Sequence, residues 1–339
     1  MSLSVNDRPE KPRVVVRPPE SALRRFLVKN RAAVGTFVVF AVMIAIFMIA
    51  SPRVFLNWTI YSSVLVTLPV ALTLVVPLVF VVTVGEIDLS FPSTMGFSAW
   101  IFALLIKAGF PAVIAIAASI VTGTILGLAV GSLVVYGALS SLIATLGMNY
   151  MLRGFIQIIT QGKSIALLEL RDSTTATVLS GSAWGVPVQI FWALLFVIVA
   201  GFLYNRHRFG ARVHAVGDHP DSAAQMGIPV DRVRVATFAF MGFGAALAGI
   251  FTTLVNFTWW PTTGDGYLLP AIASVFVGGT PTWGGIGTVT GGAIGAAIVS
   301  FIQSGIVAAG LSGFYVQFFN GLIIILALLG HRWNQKRFR

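Results

Sequence analysis

Runs of Leu, Val, Ile, Ala and Phe recur along the chain between short polar breaks. Most approach the roughly twenty residues a helix needs to cross hydrocarbon. They fall at residues 33–50, 57–84, 92–109, 112–138, 141–160, 187–204, 235–256, 268–280, 287–309 and 314–330. The pattern predicts an all-α polytopic membrane protein of about ten transmembrane helices with Gly/Pro-interrupted segments. The eighth run is short and the second can be read as broken, which leaves nine or eleven open. The alternating segments of a membrane β-barrel do not occur. One transmembrane domain over 33–330 follows a basic tail, 1–32, and precedes a second basic tail, 331–339. Residues 1–20 are rich in Pro and charge and read as disordered. Within 21–32, Leu23, Phe26 and Leu27 oppose Arg24, Arg25, Lys29 and Arg31, the pattern of a short helix lying on the membrane surface or of a plain basic flank. The long polar lead does not read as a cleavable signal.

The sharpest departure from apolar sequence is Gly85-Glu86-Ile87-Asp88-Leu89-Ser90, followed by Pro92. Glu86 and Asp88 are the only carboxylates between Glu20 and Glu169. An ionised carboxylate near the bilayer centre costs about 2.5–3.5 kcal/mol on insertion scales, so each needs a cap, a partner or water. Asp88 and Ser90 are N-cap candidates for the next span, and both are equally candidates for a substrate pathway. Glu86 fits an interfacial position or a polar pathway wall. Arg153, inside a predicted span, calls for a snorkelling route, a carboxylate or helix C-terminus as partner, or a solute. A second interruption, residues 277–285, holds Thr280 between glycines and resembles the first. Paired interruptions point to a substrate path in repeat-built transporters.

Charge sets the orientation. Of 22 Lys and Arg, eight precede the first run, five lie in 205–234 and four follow the last. Ten spans, six of them before that loop, place all three regions on one side. The positive-inside rule makes that side cytoplasmic, termini included. Hydrophobic residues form 57% of the chain and charged ones 10%, too apolar for a soluble core of this size. The net charge of +11 is that of a membrane protein with basic inner loops and not of a nucleic-acid binder. Without cysteine there is neither disulfide nor thiolate metal site, and no histidine cluster lies within the spans. Gly162-Lys163-Ser164 lacks the first glycine of a phosphate-binding loop, because Gln157 stands there. No nucleophile–base or metalloprotease motif is present, so the chain reads as a transport subunit and not an enzyme. Trp259 and Trp260, in an outer loop, carry the mark of an interfacial aromatic belt.

Two packing signals and one helix stand out. Gly123, Gly127 and Gly131, and again Gly287, Gly291 and Gly295, recur every four residues, as at closely packed membrane helices, within one chain or between subunits. In the 205–234 loop, Asp218 or His219 can cap a two-turn helix with Pro220 and Asp221 in its first turn. Ala223, Ala224 and Gln225 form its body, and Gly227 with Ile228 supplies a Schellman stop. A helix this short is unstable alone and must pack on the protein or on a partner.

Four ordered motifs resemble the inner-membrane permeases of bacterial ABC importers for monosaccharides, of the ribose type, over about residues 57–330. The family's G-G-I-D-L-S reads Gly85 through Ser90. Its T-L-G-x-x-x-x-x-R-G is matched by Thr145-Leu146-Gly147 and Arg153-Gly154. Its A-V-G-N-N-x-x-A-A-R-x-x-G-I is matched by Ala215-Val216-Gly217, Ala223-Ala224 and Gly227-Ile228. The fourth, Ala271 to Thr288, carries Gly278-Gly279-Thr280 and Gly284-Gly285-Ile286-Gly287. Glu86, Pro281 and Gln225 depart from the family's glycine, serine and arginine. The resemblance implies ten helices, a homodimer in the bacterial inner membrane, two cytoplasmic ATPase subunits that carry the ATP and magnesium, and a periplasmic solute-binding protein. It also makes the helix of 217–228 a coupling helix for the ATPase, with Asp218, Pro220, Asp221, Ala223, Ala224, Gln225 and Gly227 as its residues. Related permeases for branched-chain amino acids or nucleosides share the glycine-rich pattern at 284–297. An ion-coupled secondary transporter using Glu86 and Asp88 is the reading from another class.

Overall fold

A computed structural model describes residues 31–336. The tail and surface helix expected over residues 1–30 lie outside the described residues. The principal helices are α1 (Arg31–Ala50), α2 (Trp58–Thr83), α3 (Phe91–Lys107), α4 (Ala112–Tyr136), α5 (Ser141–Thr160) and α6 (Gln189–Asn205). They continue with α7 (Arg208–Asp218), α8 (Pro220–Gln225), α9 (Val230–Asn256), α10 (Leu268–Val277), α11 (Val289–Ala308) and α12 (Gly313–Lys336). The fold is all-α but for two ladders of two-residue strands. Antiparallel β1 (Ile165–Ala166) and β4 (Thr258–Trp259) join two distant loops, and β2 (Ser182–Ala183) pairs with β3 (Val186–Pro187).

Among the described residues, six helices are long and apolar enough to cross a membrane: α2, α4, α5, α9, α11 and the Gly313–Gly330 part of α12. α6 and α7 pass that test only together and are bent by 64° at residues 206–207. α1, α3 and α10 are shorter apolar helices. The ten predicted runs therefore all appear as helices, while six or seven meet the length of a full span. The second run is unbroken through Pro69 and Pro77. The last helix runs to Lys336, into the expected tail.

α2 lies at the centre. Leu74, Val75, Val76, Leu78, Val79, Phe80 and Val81 are all buried, and a helix apolar on every side belongs inside a large core. α9 packs beside it, held against α4 by glycine. A Cβ at Gly123 would strike the Gly242 carbonyl, and one at Gly127 the Phe238 carbonyl. Gly291 and Gly295 press α11 against Gly278 and Ser274 of the α10 segment. Gly287 departs from the helix-packing expectation. It precedes the Thr288 cap of α11 and faces Thr83, Tyr204 and Thr280, because the chain is still turning there.

Gly127→Val should destabilise the protein by about 1–3 kcal/mol through overpacking. Gly154→Ala, at an uncrowded position inside α5, should not lower the detergent-solubilised melting temperature and should raise it slightly, because Ala is the better helix former.

Candidate functional site

The first interruption begins where α2 ends. Val84 closes the helix, Gly85 turns with φ +92°, and residues 86–90 form an irregular segment beside the start of α5. Backbone groups that leave a helix within a membrane need internal partners. Ile87 N–H donates to Ser141 Oγ at 3.3 Å and Leu89 N–H to Thr145 Oγ1 at 2.9 Å. Asp88 Oδ1 accepts the N–H and the hydroxyl of Ser90, at 2.7 and 2.6 Å. Ser90 is the N-cap of α3 yet makes no capping bond of its own. Asp88 thus fastens the helix start from two residues upstream. Glu86 Oε1 lies 3.2 Å from Arg234 Nε, at the first turns of α9.

The second interruption, residues 278–288, meets the first. Gly285 N–H donates to the Thr83 carbonyl at 2.8 Å, and Gly284 packs on Gly85. Both contacts need backbone without a Cβ, and Gly284 and Gly285 have φ of +81° and +73°. The basic-face helix α7 joins the same junction. His214 Nδ1 lies 2.9 Å from the Gly285 carbonyl, Asp218 packs on Gly285, and a side chain at Gly217 would collide with the Thr83 carbonyl. Tyr204, at the end of α6, shares a 2.7 Å hydroxyl contact with Thr83 and stacks edge-on against His214. Thr280 is fully buried close to Gly287.

The predicted two-turn helix is α8. Gly227 has φ +77°, and the Ile228 N–H reaches back to the Ala223 carbonyl at 3.0 Å, as a Schellman end requires. Its start differs from expectation. Asp218 closes α7, and His219 stands at the N-cap without a side-chain bond, so neither residue caps through its side chain. Pro220 is in the first turn, Ala223 is buried, and Asp221, Ala224 and Gln225 are exposed. The helix is not isolated, because α7 precedes it directly. Phe209, Val213 and Val216, spaced by four and three, are the periodic signal that reveals α7.

Arg153 holds the loop of residues 257–267. Its Nη1 donates to the Pro261 and Thr263 carbonyls, and Nη2 lies 2.6 Å from Asp265 Oδ1. Gly264 of the same loop packs on the Pro92 carbonyl, so residues 257–267 dip inward to the start of α3. Trp259 corrects the aromatic-belt expectation. It is fully buried and its indole donates to the Gly96 carbonyl at 3.0 Å, while Trp260 is exposed.

Glu86, Asp88, Ser90, Arg153 and Thr280 therefore do not converge on one space. None lines either of two cavities, apolar over most of their walls but dotted with hydroxyls and amides, that the sequence reading missed. One, of about 590 Å³, opens between the start of α2 and the end of α11; the other, of about 270 Å³, lies between α2, α10 and α11 and reaches Asp265. Thr67 and Gln303 line both.

These features define a polytopic helical membrane protein whose two interrupted segments share a junction with a short helix pair at its basic face. The chain belongs to the family described as the permease component of branched-chain amino acid transport systems, which matches residues 60–328. It is 31% identical over 315 residues to the ribose import permease protein of Haemophilus influenzae, covering 91% of this chain and 94% of that one. The L-arabinose ABC transporter permease protein of Azospirillum brasilense is 30% identical over 305 residues, 89% of each chain. The D-allose transport system permease protein of Escherichia coli K12 is 30% identical over 295 residues, 87% of this chain and 90% of that one.

Arg153→Leu leaves two loop carbonyls without their donor and should cost about 1–3 kcal/mol, read as a lower melting temperature. Asp265→Asn should cost less, because Arg153 keeps both carbonyls and the Asp265 side chain is 58% exposed.

Proposed function

We propose that this chain is the membrane-spanning subunit of an ATP-driven importer for a monosaccharide-like solute. The observation that carries the reading is the junction itself. α7 rests at once against the end of α2 and against the second interruption, and α8 follows it directly, so a displacement of the helix pair reaches both through α7. The relatives named for ribose, arabinose and allose favour a sugar. The family's description favours a branched-chain amino acid as the second reading.

The topology follows the ten helices α1–α6 and α9–α12 as ten crossings, the shorter ones completed by the loops at their ends. Both termini and residues 205–234 then face the cytoplasm of a bacterial inner membrane. The exposed side of α8 adjoins other exposed residues on that face: Met226 is 70% exposed, Ile286 59% and Trp283 44%. Large apolar side chains displayed together at a polar face suit a protein partner. We assign that partner as the ATPase, one copy per permease, with ATP and magnesium held there. A second copy of this chain completes the pathway, and a periplasmic binding protein delivers solute to the opposite side.

Proline within a helix costs about 3 kcal/mol or more, enough to depopulate α8 over tenfold. Ala224→Pro should therefore abolish uptake in proteoliposomes and detach ATP hydrolysis from the permease. Hydrolysis and uptake identical to wild type would exclude α8 as the coupling element.

A further inference from the structure

The two cavities with scattered hydroxyls and amides have no role in the junction described above. We infer that together they form one continuous, water-filled wall for a neutral polyhydroxylated solute, with Thr67 and Gln303 at its waist as specificity-determining residues. The inference deepens the importer reading and rests on it for the direction of travel.

Depth is the first argument. Thr67 lies nine residues into α2, about 14 Å along the helix axis from Trp58. Side chains at such depth face lipid, protein or water. The lipid-facing pattern is visible on α4, where Val113, Ile114, Val121 and Ile125 are all at least half exposed and all aliphatic. The α2–α11 face is mixed: Asn57, Thr59, Ser63, Thr67, Gln303 and Ser304 line the larger cavity alongside Val54, Ile60 and Val307, so polar groups recur there at a depth where these exposed residues of α4 are aliphatic. At about 590 Å³ it falls within the about 300–1,000 Å³ of small-molecule sites.

The hydrogen-bond pattern sets the chemistry. Ser63 Oγ donates to the Thr59 carbonyl at 2.9 Å, and Thr67 Oγ1 donates to the Ser63 or Val64 carbonyl at 3.3 Å. Each hydroxyl proton is thus used within α2, and the oxygen lone pairs remain to accept from a solute O–H. Groups satisfied before solute arrives bind it weakly, as a conduction path requires. Charge is confined to the ends. Arg53 stands at the mouth, and Asp265 at the base is paired with Arg153. A neutral solute rich in hydroxyls matches this lining better than an ion or an amino acid zwitterion.

The chain contains no cysteine, which makes the wall directly testable. Single Thr67→Cys, Gln303→Cys and Ile125→Cys variants of the complete importer would be treated with a charged, membrane-impermeant methanethiosulfonate. The reactive species is the thiolate, which forms in water and not in hydrocarbon, so the first two should react at least about tenfold faster than Ile125→Cys. D-ribose should slow both reactions, and L-leucine should not. Ser63→Cys, one turn nearer the opening, serves if Gln303→Cys fails to fold. Labelling as slow as that of Ile125→Cys would overturn the water-filled wall. Fast labelling that D-ribose leaves untouched, or that L-leucine slows equally, would overturn the polyol assignment. The importer reading is judged separately, by ATP-dependent uptake in the unlabelled parent.

Discussion

A backbone that stops being helical inside a bilayer has no water to bond to, and the rest of this structure depends on how that is met. The two interruptions satisfy each other and the helices around them. The Thr83 carbonyl takes the Gly285 N–H, and Leu89 is met by the Thr145 hydroxyl. Asp88 takes both polar hydrogens of Ser90. These bonds allow a buried aspartate and the start of α3 to persist without unpaired peptide groups.

Bonds of this kind need close approach, which explains the glycines around the junction. Gly217, Gly284 and Gly285 stand where backbone meets backbone, and the first has no left-handed φ to explain it. Its requirement comes from the Thr83 carbonyl across the gap. The glycines of α4, facing Gly242 and Phe238, solve the corresponding problem between intact helices, where dispersion and fit replace a hydrophobic drive that lipid does not supply.

Helix placement was legible in the sequence because the signal is composition over length: every predicted run appears as a helix, most with ends within two or three residues. α9 and α12 are the exceptions: α9 starts at Val230 where the apolar run begins at 235, and α12 runs to Lys336 where the run ends at 330, since helical backbone continues through charged and polar residues that the apolar signal leaves out. The Schellman end at Gly227 was legible because its chemistry is local. Partner identity was not. Arg153 and Asp265 are far apart in the chain, as are Glu86 and Arg234, and no periodicity links such pairs. Trp259 was misplaced for the same reason: an outer-loop tryptophan reads as interfacial unless the inward fold of residues 257–267 is known. The two cavities escaped notice because their hydroxyls are scattered singly through apolar helices and converge only when α2 and α11 are side by side.

The contact between α7 and the interruptions has a thermodynamic corollary. Coupling free energy between two sites is shared equally, whichever of them is perturbed first. Where Gly217 abuts Thr83 there is no flexible side chain to absorb a shift, so strain applied at either end is felt at the other. Under the proposed function, a protein gripping α8 would change the energy of the two interrupted segments through α7. By the same amount, a solute that favours one arrangement of those segments would change how tightly α8 is gripped. On that reading the junction would be as much a sensor of solute as a lever for ATP.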